Sequence, residues 1–299
     1  MIKLKPTAEA LDFHYKEVSR VFNNVIKKGA IKRNNVDVNL PKCFIRFLST
    51  NFDRIISSKP QDLIEVHNEF KLLGIIDSDI KNIKSFFLET GYKNFENKKF
   101  LNLLNIDTCV YCNRNYTLEF DLYTEHARAE LDHWFPKTDF PILALSFYNL
   151  IPSCHSCNHI KSNANGFDWL SALKTLSHPY DDDDSEGFAF SYYYDNYNSM
   201  KVILKVKEGS TKTEETLKFN KIEKIYIAHS GRELRDLMDL RYKYSKNYMD
   251  ILLNKTFKNL AMSEEEIYRM IFGIEIEEEN YHKRPFSKFK HDIIKELKN

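Results

Sequence analysis

The chain has 299 residues, enough for one large core or two to three smaller ones, and its 42% apolar content is ample to fill them. Aromatic residues make up 14% while glycine and proline number eight each, a balance that favours helices over a turn-rich all-β architecture. A formal charge of +1 excludes the global basicity of many nucleic-acid binders, so any electrostatic footprint has to be local.

In chain order, Leu11, Val18, Val21, Phe22, Val25 and Ile26 follow helical spacing between Thr7 and Lys28, with Gly29 as the stop. Pro41 opens a second helix through Phe44, Phe47, Leu48 and Ile55, and Pro60 a third through Leu63, Val66, Phe70 and Leu73, ending at Gly74. Ser78 caps a fourth, closed by Gly91, and a short helix over 94–105 leads into Cys109. Residues 1–105 thus read as an N-terminal helical domain whose Phe and Leu stripes are core. Residues 106–180 form a second unit. Within its last part, HPYDDDD at 178–184 reads as a loop, its HPY as a plain turn and Asp181 to Asp184 as a solvated run without the spacing of a calcium loop. Residues 181–299 read as a hairpin, FAFSYYY with KVILKVK, followed by helices. Those helices span 216–257, with Ile222, Ile225, Leu234, Leu237, Leu240, Tyr244, Tyr248 and Leu252 apolar, and then 262–272 and 284–298.

Basic clusters occur at Lys27, Lys28, Lys32 and Arg33, at Lys98 and Lys99, and at Lys283, Arg284, Lys288 and Lys290. Each reads as solvated surface unless a catalytic site lies beside it. No apolar run reaches the length of a membrane span, and the start MIKLKPTAEALDF has no continuous apolar stretch after its lysines. A cytoplasmic protein without membrane contact is expected.

Four of the five cysteines form two C-x-x-C pairs, Cys109 with Cys112 and Cys154 with Cys157, and Cys43 stands alone. In a reducing compartment such pairs point to metal rather than disulfides. Zinc takes four tetrahedral thiolates, and a site closed by four protein ligands leaves no position for water, so this zinc would be structural. Any chemistry has to come from the 41 residues between the pairs, 113–153, and from the helix that follows.

There the segment 128–133 reads as a strand ending in Asp132-His133, followed by a loop with Pro136 and Pro141 and a second strand from Asn149 to Ser153. CHSCNHIKSN then reads as a helix beginning near Cys154. LDH at 131–133, Asn149 in YNLIPSC and Asn158 in CNHIK resemble the signature of the HNH nucleases, the ββα-metal endonucleases, many of which carry two such zinc knuckles. The resemblance covers about residues 105–165. It implies an α+β, mostly helical fold in which a zinc-stabilised ββα-metal core lies between N- and C-terminal helical regions.

The resemblance also implies hydrolysis of phosphodiester bonds in DNA, with RNA left open. His133 would be the general base, Asp132 and Asn158 the ligands of one catalytic Mg²⁺ or Mn²⁺, and Asn149 the residue that holds the loop and orients the histidine. His159 is the substitute should Asn158 not serve, and Ser162 stands where a second helix ligand would follow. Lys161 reads as a solvated lysine, with phosphate contact as its alternative. An HNH core between helical flanks, with an HPY segment at His178 to Tyr180, is similar to bacterial anti-phage effectors. Some of these pair with an ABC- or SMC-like ATPase, as in Septu-type systems, which implies antiviral defence and delivery to DNA by a partner. The competing reading is a zinc-stabilised module that binds nucleic acid or protein without cutting. Such a module would be expected to lose His133 or a metal ligand, and this chain keeps them all.

Overall fold

The computed structural model describes residues 2–33, 36–118, 120–122, 125–127, 129–164, 166–181, 187–197, 199–243, 251, 255 and 262–298. The fold is α+β, mostly helical with four two-stranded antiparallel sheets among the described residues.

The first helix, α1 (Ala8–Lys28), starts where Thr7 caps the Ala10 N–H and stops where Gly29 turns left-handed at φ 65°. A hairpin that the sequence reading lacks follows at once: β1 (Ala30–Arg33) pairs with β2 (Val36–Asn39), so Lys32 and Arg33 stand exposed on a strand. Four-residue strands carry too short a pattern to be told from loop. The helix expected from Pro41 to Ile55 is two, α2 (Lys42–Thr50) and α3 (Phe52–Ser57), because the Asn51 side chain donates to the Phe47 carbonyl at 3.3 Å and accepts from Arg54 at 2.7 Å. A short amide side chain competing for backbone groups is a natural helix break.

Next come α4 (Pro60–Lys71) and α5 (Asp77–Ser85). Ser78 is not the cap of α5. Extended Ile76 precedes the helix and accepts from Asp79 and Ile80, which places Asp77 and Asp79 in the first turn, against the positive end of the helix dipole. The helix closes at Gly91 as expected, but its last part, Phe86–Gly91, is a wider π turn. Gly91 is closely approached: a Cβ there would stand 2.5 Å from Leu145 Cδ1, so a larger residue would force that buried side chain to shift. Helix α6 (Asn97–Leu104) closes at left-handed Asn105. Phe22 lies against Phe52, Phe86 and Phe87, and buried His14 against Phe95, Phe100 and Phe147.

After β3 (Phe120–Leu122) and β4 (Glu125–Ala127), the strand β5 (Glu130–His133) pairs with β6 (Leu150–Ser153), His133 opposite Leu150 and Glu130 opposite Ser153. Helix α7 (His155–Ser162) packs on this pair, giving strand, loop, strand, helix. Arg128, expected at the start of β5, lies outside the described residues.

A short α8 (Ala172–Thr175) leads to the hairpin of β7 (Phe188–Asn196) with β8 (Ser199–Val206). The stretch expected to be helical over 216–257 starts earlier, as α9 (Thr211–Phe219), and restarts after left-handed Lys221 as α10 (Ile222–Ile227), then α11 (Arg235–Lys243). Tyr244, Tyr248 and Leu252 lie outside the described residues, as do Asp182, Asp183 and Asp184. The last helices are α12 (Glu264–Phe272) and α13 (Ser287–Lys298). On α13, Asp292 accepts from the Phe190 N–H at 3.0 Å and Glu296 from the Ser191 hydroxyl at 2.7 Å, which fixes the helix to β7. The third basic cluster is internally neutralised, Lys283 facing Asp107, Arg284 Glu275, Lys288 Asp292 and Lys290 Glu233.

Buried side chains from Ile2 to Leu297 form one continuous core across residues 105 and 180. Asn113 is a principal tie within it. Left-handed at φ 51° and 5% exposed, it donates from Nδ2 to Thr108 Oγ1, the Tyr281 carbonyl and the Arg284 carbonyl, at 3.0, 2.8 and 3.1 Å. Its own carbonyl accepts from the Phe286 N–H at 2.6 Å. Asn113→Ala takes the side-chain donor from the Tyr281 carbonyl, leaves the Arg284 carbonyl with the Ser287 hydroxyl alone, and strains a left-handed position. It should cost about 2 to 4 kcal/mol in urea unfolding of the metal-loaded protein, and a loss under about 1 kcal/mol would refute this role.

Candidate active site

The site is built on the cysteines. In the first pair, the Cys109 N–H donates to Asn115 O at 2.9 Å and the Asn113 N–H returns to Cys109 O at 2.8 Å, closing a tight turn. In the second pair, Cys154 caps α7 and Cys157 lies in its first turn. The four sulfurs all lie within 4.8 Å of one another, with Cys112 and Cys154 at 4.0 Å. Four sulfurs around one zinc at ~2.3 Å stand ~3.8 Å apart, whereas a disulfide needs ~2.05 Å. None of the four forms a disulfide, and burial pushes the Cys109 thiol well up, so ionising the set would need a cation at its centre. The four cysteines could bind a structural metal such as zinc. Two further bonds fasten this centre, Val110 N–H to Pro152 O at 3.2 Å and the Tyr226 hydroxyl to Cys112 O at 2.6 Å.

Beside it, β5 presents Glu130 and Asp132 to α7, as the two-residue strand period requires. Asn158 and Lys161, three apart on one helix face, meet them. Asn158 donates from Nδ2 to Glu130 at 2.7 Å, and His155 Nδ1 lies 2.7 Å from the other Glu130 oxygen. Asp132 accepts at Oδ2 from the Tyr111 hydroxyl at 2.5 Å, and Lys161 Nζ stands 2.9 Å from Oδ2 and 3.2 Å from Oδ1. Lys161 also donates to His133 O at 2.5 Å and lies over the Trp169 ring. The solvated reading of Lys161 is therefore wrong: it is 5% exposed. Burial pulls its pKa down and Asp132 pulls it back up.

His133, 5% exposed, has Nε2 3.1 Å from the Ala144 carbonyl and its ring edge-on to Tyr92. A carbonyl only accepts, so Nε2 carries the proton and Nδ1 is the free base of the neutral ring. Burial first, then the charge of Lys137, holds its pKa down to about 3. Asn149 is fully buried in the connection. Its Oδ1 accepts from the Phe135 N–H at 2.7 Å, and its Nδ2 donates to Phe135 O at 3.2 Å and Leu143 O at 2.9 Å. These bonds span the loop that holds Ala144 against His133.

Asp132, His133, Asn158, Lys161, Lys137 and Trp169 line one cavity of about 460 Å³. Asn149 stands behind it, and His159 is not in its lining; the His159 ring stacks with that of His155. Asp132 and Asn158 offer oxygen donors of the kind a hard divalent ion takes, and the Asn158 Oδ1 makes no hydrogen bond among the described residues. Both oxygens of Asp132 lie within 3.2 Å of the Lys161 ammonium, so a cation held by Asp132 and Asn158 would have to displace it. Among the described residues, the four cysteines are the only group of three or more His, Cys, Asp or Glu side chains placed to hold a metal.

Sequence reasoning missed Tyr111 and Glu130, and it did not foresee the burial of His178. His178 is 2% exposed with its ring against Trp134; its Nδ1 accepts from the Tyr180 N–H, and Pro179 O accepts from the Leu4 N–H. The HPY segment is the turn expected, closed by the Asp181 N–H donating to the His178 carbonyl at 3.0 Å, but it is buried.

Elemental analysis of protein purified without chelator should give about one zinc per chain, and none would refute the tetrathiolate. The folded His133 ring binds its proton more weakly than the unfolded chain does, about 3 against 6.5. The stability it contributes is thus complete above pH 6.5 and drains away as pH falls toward 3. Nitrogen–proton NMR should show a neutral, Nε2-protonated ring down to at least about pH 5, and titration near the free value would contradict the buried geometry.

No protein-family profile, curated protein or solved structure matches the chain in these comparisons, so the functional reading rests on the site itself.

Proposed function

We propose that the chain is a metal-dependent HNH endonuclease that hydrolyses phosphodiester bonds of DNA. The observation that carries this reading is His133, whose ring is set by the Ala144 carbonyl so that Nδ1 is a base, in a cavity that Asp132 and Asn158 also line.

His133 Nδ1 takes the proton of the attacking water, and the Asn149 bonds keep the ring from drifting out of line. Asp132 and Asn158 would hold one Mg²⁺ or Mn²⁺, which when bound neutralises phosphate charge and steadies the departing 3′ oxygen. Besides burial, Lys137 and Lys161 depress the basicity of His133. A substrate phosphate beside these lysines offsets their charge and raises the proton affinity of the ring, so the base strengthens when there is something to cut. The buried thiolate centre keeps the two strands and α7 in register.

The same reading makes the chain an effector of bacterial anti-phage defence, brought to DNA by an ABC- or SMC-like ATPase. The defence role rests on the resemblance alone, while delivery by a partner is supported by the net charge of +1 and by the pairing of the basic cluster at 283–290 with carboxylates, both of which weaken independent DNA binding.

Supercoiled-plasmid nicking with Mg²⁺ or Mn²⁺ tests the proposal. The wild type should nick, and His133→Ala should fall about 100-fold or more. Equal rates would remove His133 from the mechanism, and binding of plasmid without nicking would favour the non-cleaving zinc module.

A further inference from the structure

Tyr111 stands between Cys109 and Cys112, where a metal knuckle needs nothing from the side chain, yet it is 3% exposed and its hydroxyl is spent on Asp132 Oδ2 at 2.5 Å. Its neighbours are fixed on both sides. The Val110 carbonyl accepts from the Ile2 N–H at 2.9 Å, the Val110 N–H donates to Pro152 O, and Cys112 O accepts from Tyr226. A rigid ring on a turn pinned by two cysteines therefore reaches across to the carboxylate of the cavity.

The two donors on Asp132 differ in kind. Lys161 brings a full positive charge on a four-carbon stem from α7, whereas Tyr111 brings a neutral hydroxyl on a ring with two torsions. A divalent cation approaching Asp132 repels the ammonium and not the phenol, so the Tyr111 bond is the one compatible with a loaded site. A carboxylate offers about four lone-pair positions, so one phenol bond leaves room for a cation. No other neutral side-chain donor holds Asp132 among the described residues.

We infer that Tyr111 is a positioning residue: it orients the Asp132 carboxylate for the catalytic cation, and so makes the geometry of the thiolate centre a determinant of the reaction rather than of stability alone. This inference rests on the nuclease reading above. It assigns the first knuckle a second task, holding Oδ2 of the carboxylate still while a cation displaces Lys161 from Oδ1.

Tyr111→Phe in the full chain removes one oxygen and keeps the ring. Zinc content and thermal unfolding report whether the knuckle is intact, and Mn²⁺ binding by paramagnetic resonance reports the carboxylate directly, without turnover. Loss of a hydrogen bond to a charged acceptor should weaken Mn²⁺ affinity about tenfold and raise the Mn²⁺ needed for half-maximal nicking by a similar factor, with zinc retained. Because Tyr111 acts through Asp132, Asp132→Asn and the double variant Asp132→Asn with Tyr111→Phe should nick at the same residual rate. Unchanged Mn²⁺ affinity and nicking in Tyr111→Phe, or a double variant that loses the full effect of both changes, would overturn the inference. Should Tyr111→Phe lose zinc, the wild type decides: Mg²⁺ must shift the Tyr111 ring signals in NMR, and the shift must vanish in Asp132→Asn. A wild type that nicks while Tyr111→Phe matches it condemns this inference alone. A wild type that never nicks condemns the nuclease reading, and Mn²⁺ binding still judges the Tyr111 bond.

Discussion

The gathering of four sulfurs within 4.8 Å is the constraint on which the rest of the site depends. The strands β5 and β6 have four residues each and α7 has eight, sizes at which neither a two-stranded sheet nor a helix persists alone in water. Joining Cys109 and Cys112 to Cys154 and Cys157 closes the 41 residues between the pairs into a loop with its ends fixed. The Asn149 bonds then shape the connection between the strands from inside. A structural metal at these cysteines would add a cross-link to a motif whose own apolar residues, among them Phe135, Phe147 and Leu150, already belong to the common core.

Around Asp132 the arrangement is one of balanced charge. The carboxylate faces an ammonium and a phenol, both buried, so its negative charge is compensated in a region where an isolated ion would be very unfavourable. His133, the next residue on the strand, lies on the opposite face and is kept neutral by burial and by Lys137. Alternation along a single strand thus separates a compensated anion from a neutral base by one residue, with both still lining the same cavity.

Much of this was legible in the chain. Thr7 and Gly29 mark α1 because a hydroxyl cap and a left-handed glycine are local chemistry. The cysteine spacing and the Asp-His pair likewise carry their meaning in sequence, whereas the metal's identity and the residues' catalytic roles rest on family resemblance and on the proposal above. What escaped the reading is set by the third dimension. Lys161 follows Asn158 by three residues, and nothing local says that this helix face meets a carboxylate instead of water. Tyr111 sits inside a motif whose cysteines already explain it, and its partner Asp132 is 21 residues away. Asn51 looks like an ordinary polar position in a helix until its side chain is seen to take the Phe47 carbonyl.

The first knuckle also joins distant parts of the chain. Ile2 donates to Val110, and Phe286 donates to Asn113, so positions separated by nearly the whole sequence meet across four residues. Pairings of such long range are slow to form, because loop-closure entropy must be met before the contact returns anything. The knuckle turns themselves are local and can close early on a metal ion, but their surroundings cannot be completed until residues 281–288 have been synthesised. During translation the segment carrying Asp132 and His133 therefore emerges well before the contacts that finish its housing, a natural delay between making these residues and assembling them.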